Sequence, residues 1–233
     1  MTRRTEAGTL ASHSADSTIG RANMDVHVGS EEIQAATNHF WNADSVRAGK
    51  QMDGYAQLIE DILLRNGIPK RGVYHNRKAK LPGYFRPTKN WDIAVVTEGR
   101  VVAAIELKSQ AKSFGKNLNN RTEEVIGSSH DLRHASKEVL DQEVKPWIGY
   151  LMLMVDNKKS RESRNLRQPH LGADEAFDGA SYARRYELLC ERMMQKGIVD
   201  GGAFILTEGY GHVAEPNSDV NFLSFDRGLV THV

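Results

Sequence analysis

The sequence predicts an α/β protein built on a mixed β-sheet, and three observations carry that expectation. Residues 90–110 read as two apolar, Val/Ile-rich runs around a Gly-containing polar turn, a β-hairpin signal. Residues 147–155 and 202–207 are nearly continuous apolar runs, the pattern of strands covered on both faces. A helical stretch, residues 181–196, lies between those runs, so strand, helix and strand form a parallel crossover unit.

The 233 residues are 39% apolar and 26% charged, which suits a soluble globular protein of one large domain or two small ones. No run of about 18 apolar residues occurs, so no bilayer span is expected. Arg3 and Arg4 are followed by Glu6 and small polar residues rather than an apolar core, which argues against a signal peptide. Cys190 is the only cysteine, so no internal disulfide can form and a reducing, cytoplasmic setting fits. The net charge of +1 neither suggests nor excludes nucleic acid, because the distribution of charge matters more than its sum.

From the N-terminus, residues 1–30 are rich in Ser, Thr, Gly and Ala without sustained periodicity and are expected to form a flexible tail. A single domain is expected over residues 31–233. Between Asp44 and Asn66, apolar residues Met52, Tyr55, Ile59, Ile62 and Leu63 recur at helical steps. Asp44 or Ser45 would cap that helix, and Gly67 and Pro69 would end it. Glu60 lies beside the apolar stripe and is either a solvated residue near the helix end or a group at the edge of the buried face. From Leu63 to Asn90 there is no acidic residue. The segment carries Arg65, Lys70, Arg71, Arg77, Lys78, Lys80, Arg86 and Lys89, interleaved with Tyr74, His75, Tyr84 and Phe85. Pro82 and Pro87 favour loop and extended structure there, and the basic run suits a phosphate-binding surface or a solvated charged loop.

The hairpin is the anomalous element. A buried strand should carry few ionisable groups, yet Asp92 opens the first strand and Glu106 and Lys108 close the second. A two-residue turn at Glu98-Gly99 sets Asp92 opposite Ile105 and beside Glu106; a slip of one residue sets it directly opposite Glu106. Alternation puts Glu106 and Lys108 on one face and Leu107 on the other. Two carboxylates and an ammonium that converge in this way suit hydrolysis of a phosphodiester with a divalent metal. Hard oxygen ligands favour Mg2+, which can acidify water and neutralise phosphate charge, while the lysine stabilises the transition state. The bland alternative is a structural ion-pair cluster at a strand end.

The arrangement resembles the PD-(D/E)xK nuclease superfamily, whose core presents Asp and Glu-x-Lys on adjacent strands. The strings Ala104-Ile105-Glu106-Leu107-Lys108-Ser109-Gln110, Ser113-Phe114-Gly115, Asn119-Asn120-Arg121-Thr122-Glu123-Glu124 and Gly127-Ser128 are similar to the XhoI family of type II restriction endonucleases. So are Ala180-Ser181-Tyr182-Ala183 and the run from Arg185 to Arg192. The resemblance implies a three-layer α/β/α restriction-endonuclease-like fold. It implies Asp92 and Glu106 as metal ligands with the Leu107 main-chain carbonyl as a third, Lys108 as the catalytic lysine, and Glu60 as a further candidate ligand. Trp91 stands where the family motif usually has Pro, a departure that leaves the carboxylate itself in place. The implied activity is Mg2+-dependent cleavage of double-stranded DNA at a short palindrome, CTCGAG if specificity follows the family's best-known member. Two-fold symmetry of the site implies a homodimer, and a restriction-modification system implies a separate cognate DNA methyltransferase. The alternatives are a non-catalytic DNA-binding protein of the same fold, and a repair or recombination nuclease of the superfamily.

Beyond the hairpin, Asn120 with Glu123 reads as a capped helix start, with Val125, Leu132, Ala135 and Val139 on one stripe and Gly127-Ser128-Ser129 as a kink. Asn119, Asn120 and Arg121 would then precede a helix N-terminus and are candidate DNA contacts. His130 and His134 have the spacing of a zinc pair but no third ligand is apparent, so they are expected to be partly exposed histidines. In the helix at 181–196, Tyr182, Tyr186, Leu189 and Met193 share one side, Gly197 ends it, and Cys190 is expected in the core. The loop 157–179 opens with Lys158, Lys159 and Arg161 and continues with Arg164 and Arg167, a second basic patch and a candidate DNA contact. No P-loop, dinucleotide glycine motif, nucleophile elbow or internal repeat is present.

Overall fold

The structure, a computed structural model, describes residues 27–42, 50–166 and 170–233. In chain order the helices and strands are α1 (Ser30–Phe40), α2 (Asp53–Arg65), β1 (Val73–His75), β2 (Lys80–Pro82), β3 (Thr88–Asn90), β4 (Ile93–Thr97), β5 (Arg100–Gln110) and α3 (Phe114–Glu138). They continue with β6 (Trp147–Val155), the one-turn α4 (Lys158–Arg161), α5 (Tyr182–Gln195), β7 (Gly201–Thr207) and α6 (Phe222–His232). Among the described residues the main sheet has five strands in the order β1-β4-β5-β6-β7, and β2 and β3 form a separate two-stranded ribbon. β1 and β5 both run antiparallel to β4, whereas β5, β6 and β7 are mutually parallel, so the sheet is mixed as expected.

Strand alternation distributes side chains to two apolar layers. Ile105, Leu107, Leu151, Leu153 and Ile205 face α1, α2 and α6, against Phe40, Ile59, Leu63 and Phe225. Ala104, Tyr150, Met152 and Phe204 face α3 and α5, against Leu132, Tyr186, Cys190 and Met193. This is the three-layer α/β/α arrangement, with β6 buried along nearly its whole length. Cys190 is fully buried in the second layer, as expected. No helix among the described residues is long and apolar enough to cross a membrane.

The hairpin turn is as expected at Glu98-Gly99, with both residues in the left-handed region (φ 51° and 75°), the geometry of a tight turn matched to strand twist. Thr97 pairs with Arg100 and Val96 with Val101, but Val95 pairs with Ala103. Val102 is therefore an extra residue on β5, a β-bulge. It reverses the alternation, so Val101 packs in the α3 layer while Ala103 and Ile105 pack in the opposite one. Beyond the bulge Ile93 pairs with Ile105, and the register carried one residue further sets Asp92 opposite Glu106.

Several elements differ from the sequence expectation. The first long helix begins at Asp53 rather than Asp44, and the proposed caps Asp44 and Ser45 lie outside the described residues. α3 begins at Phe114, six residues before the Asn120 signal, and runs unbroken through Gly127. Buried Phe114 stacks on Tyr182 of α5 at 6.0 Å, and this tertiary contact outweighs the local preference of Asn120 for a cap. Gly115 permits the approach, since a Cβ there would lie 2.4 Å from the Tyr182 hydroxyl. Val139 falls at the helix end and is exposed rather than packed. The tail expectation falls mostly on residues 1–26, outside the described residues. Of its remaining part, Val28 is buried and its N–H donates to the Asp226 carboxylate at 3.2 Å, and Ser30 begins α1.

Candidate active site

The site forms where β5 leaves the antiparallel hairpin and joins the parallel half of the sheet. Two features bring Asp92 there: the register set by the bulge, and the wrapping of the preceding basic segment. The Trp91 N–H donates to the Ala79 carbonyl at 2.9 Å, and the Asn76 N–H donates to the Asp92 carbonyl at 3.0 Å. The Asp92 side chain then accepts the Leu107 N–H at 2.7 Å. Glu106 and Lys108 share a face of β5 and are bonded to each other, while Leu107 points into the opposite core. Asp92, Glu106 and Lys108, singled out from sequence, are thus brought together.

A second ammonium completes the cluster. Lys89 Nζ lies 2.8 Å from Glu106 Oε2 and also donates to the Asn90 carbonyl at 3.1 Å. Its Nζ is 4.6 Å from the centroid of the Trp91 ring, an arrangement that holds a cation by the ring quadrupole. Sequence reasoning placed Lys89 only in a general basic run; its position on the two-residue path to Trp91 and Asp92 was the available signal.

The charges are unequally balanced. Burial, and then the neighbouring Glu106 charge, push the Asp92 carboxyl above its usual range despite opposing help from Lys108, the Leu107 N–H and Lys89. For Glu106 burial acts in the same upward direction, but Lys108 and Lys89 outweigh it and hold the carboxyl below its usual value. A cavity of about 220 Å³ beside Asp92 is lined by Asp92, Leu107, Lys108, Gln51, Asn76 and Arg121, among others. A second, of about 450 Å³, is lined by Glu106, Lys108, Lys89, Arg86 and Arg121, among others. Lys108 and Arg121 border both.

This donor set fits a hard divalent cation. Two adjacent carboxylates, one with its pKa raised by burial and by the other's charge, gain from a cation between them. In a strand the N–H and C=O of one residue lean to the same edge, so the Leu107 carbonyl faces the side of Asp92. Two carboxylates and one carbonyl offer few protein ligands, so a metal here would keep several waters, as Mg2+ does.

The other candidates are placed differently. Glu60 is 8% exposed and its carboxylate takes His75 Nε2 at 2.8 Å and Lys70 at 3.8 Å. Arg121 lies inside α3 between the two cavities, paired with Glu124 at 3.0 Å, not before a helix N-terminus. Asn119 instead lines a separate apolar cavity of about 430 Å³ against α5, and Asn120 is exposed on α3. Lys158 and Lys159 are exposed on α4, after β6, and Arg161 pairs with Asp156 at 2.6 Å; none of the three borders either active-site cavity. Arg167 lies outside the described residues. His130 is exposed and His134 half-buried, with their Nε2 atoms 3.1 Å apart.

An α/β/α sheet that gathers two carboxylates and a lysine at the junction of a hairpin and a parallel unit has the architecture of the restriction-endonuclease-like nucleases. Sequence comparison narrows the class. The family model described as Restriction endonuclease XhoI matches residues 33–214, and the chain belongs to that family. It is 38% identical to the type II restriction enzyme BstVI of Geobacillus stearothermophilus, over 86% of this chain and 94% of that protein. It is 44% identical to the type II restriction enzyme XhoI of Xanthomonas vasicola, over 66% of this chain and 63% of that one. With the type II restriction enzyme AbrI of Azospirillum brasilense it shares 47% identity over 52% of this chain and 56% of the relative. No solved structure matches. The chain is accordingly a site-specific deoxyribonuclease.

Proposed function

We propose that this protein hydrolyses both strands of duplex DNA at a short palindrome, CTCGAG, as a Mg2+-dependent homodimer in a cytoplasmic restriction-modification system. One observation carries the catalytic part: the bulged register that sets the Asp92 carboxylate on the Leu107 N–H beside the Glu106–Lys108 pair. A pure DNA-binding protein has no need of that set.

Asp92, Glu106 and the Leu107 carbonyl would hold the metal. The bound cation supplies neutralisation of phosphate charge and acidification of water. Lys108, fixed by Glu106, orients the attacking water and stabilises negative charge on the phosphorane-like transition state. Lys89 keeps Glu106 ionised and aimed. Arg121, between the two cavities, holds a phosphate flanking the scissile one. Glu60 is hydrogen-bonded to His75 and paired with Lys70, one helical turn beyond Ala56, which lines the smaller cavity, and supports β1 rather than the metal. Asn120, Lys158, Lys159 and Arg161 would contact DNA outside the cleavage centre, whereas Asn119, turned to the apolar cavity against α5, is withdrawn from that set. A palindromic target calls for two copies, one cluster per strand.

The test incubates plasmid DNA with the protein in Mg2+ or in EDTA and maps the ends. Discrete, metal-dependent fragments ending within CTCGAG support the proposal; binding without cutting sinks it. Fragments ending at another sequence would retain the reaction and overturn the target. A methyltransferase gene beside this one, protecting the same sequence, would tie the enzyme to a restriction-modification system.

A further inference from the structure

The loop between β2 and β3, residues 83–87, presents two aromatic rings to solvent. Phe85 is 66% exposed and Tyr84 50% exposed. This loop is fastened. Asp131 of α3, itself only 3% exposed, accepts the Tyr84 N–H and the Phe85 N–H at 2.8 Å each and the Arg86 guanidinium at 2.6 Å. The wrap is tight enough to need glycine at position 83, where a Cβ would lie 2.6 Å from the Arg86 carbonyl and 2.7 Å from the Asp131 carboxylate. The rings also brace each other and α3. Tyr84 and Phe85 meet edge to face at 4.9 Å, Tyr84 lies 5.5 Å from His134, and Phe85 stacks over His130 at 6.3 Å.

A buried carboxylate thus accepts three hydrogen bonds that fix this loop; the bonds stabilise the loop, but the exposure of the two rings in water brings the isolated fold nothing. Their surroundings identify the partner. Arg86, the next residue, lines the cavity that contains Glu106, Lys108 and Lys89, so the rings stand at the rim of the cleavage site. The basic side chains of that rim suit phosphates, whereas Phe85 has nothing to offer a phosphate. Aromatic faces suit bases.

We propose that Phe85, backed by Tyr84, is a wedge that enters a groove of the bound duplex beside the cleavage site and packs against its bases. This rests on the proposed DNA cleavage and adds to it a base-contacting element distinct from the phosphate-binding residues. Asp131 is then a positioning residue that keeps the wedge rigid.

The experiment compares wild type with the double variant Tyr84→Ala/Phe85→Ala, using a fluorescein-labelled duplex carrying CTCGAG, or the mapped site if it differs. Binding is followed by anisotropy in Ca2+, over a range of salt. The double variant is expected to keep its circular dichroism spectrum and to bind roughly ten- to hundredfold more weakly. Its salt dependence should stay that of the wild type, because no phosphate contact is lost. In a Phe85→Trp variant, affinity should be retained and the new indole's emission, read as a difference from the wild type, should change on adding duplex. Unchanged affinity of the double variant overturns the wedge, as does weakened binding with a reduced salt slope, which would mark a phosphate effect. Loss of a dimer at unchanged intrinsic affinity also overturns it and assigns the rings to a second copy. If the wild type neither binds nor cuts, the cleavage reading fails too; if it cuts and the double variant matches it, the wedge alone fails.

Discussion

Lys89 reaches from the small β2–β3 ribbon to within 2.8 Å of Glu106 in the main sheet, so the two sheets are tied by an ion pair at the proposed cleavage centre. Lys108 holds the other oxygen of the same carboxylate. Replacing Lys89 by Met keeps the chain length over Trp91 but leaves Glu106 with one ammonium. A charge-assisted hydrogen bond of about 1.5–3 kcal/mol corresponds to a cleavage rate lowered about ten- to hundredfold. Single-turnover rates measured on plasmid at saturating enzyme check this; a rate within twofold of wild type would show that Lys108 alone suffices.

In the proposed mechanism the charge of Asp92 serves the reaction at the expense of the fold. Burial and the Glu106 charge raise its pKa, and an acid raised in this way destabilises the folded state whenever it is ionised. Asp92→Asn preserves an acceptor for the Leu107 N–H while removing that charge. In metal-free buffer at neutral pH its melting temperature should rise by roughly 2–4 °C, whereas cleavage disappears and DNA binding stays measurable. Full retained activity would remove Asp92 from the mechanism.

Asp131 shows the opposite sign. Burial pushes its carboxyl up, but the Arg86 guanidinium and the Phe85 and Tyr84 N–H groups outweigh burial and hold it below its usual value. Its contribution to stability is therefore complete above the unfolded pKa of about 3.9 and fades as pH falls through the lower folded value. Asp131→Asn should lose about 2 kcal/mol, or roughly 4–8 °C in melting temperature. The gap between wild type and variant should be constant from neutral to mildly acid pH and close in strong acid. A gap that widens on acidification would contradict the assignment.

Glu98 occupies the first turn position at φ 51°, a left-handed conformation in which its Cβ crowds the following carbonyl without local compensation. Its exposed contact with Arg100 at 3.4 Å returns little. Glu98→Asn, which suits the turn, should stabilise the protein by about 0.5–1 kcal/mol and leave the cleavage rate unchanged. Equilibrium denaturation with urea would detect the shift in midpoint.

The hairpin and the crossover unit were legible because their signals are local and strong: Val/Ile runs, a Glu-Gly turn, and strands buried on both faces. The juxtaposition of Asp92, Glu106 and Lys108 followed from pairing and alternation, although the sequence left two registers open and the Val102 bulge decided between them. What escaped depends on contacts distant in the chain. The true start of α3 is fixed by Phe114 meeting Tyr182, which no capping rule near Asn120 reveals. Asn119 was grouped with Arg121, yet helical geometry turns it toward α5 and an apolar cavity. Lys89 was one cation among many until folding laid β3 across Glu106. The short helices α1 and α6 passed unnoticed, and each takes its apolar residues from a layer shared with distant strands.

The extra residue at Val102 also bears on how such enzymes are found. Because Val95 already pairs with Ala103 and Val96 with Val101, removing Val102 would leave a regular ladder with every partner and every inward face retained. The interval of thirteen residues between Asp92 and Glu106 is thus one of two lengths compatible with the same pairing. A pattern search that demands the longer interval would overlook chains that reach this geometry with a residue fewer, and alignments should place their gap at the bulge.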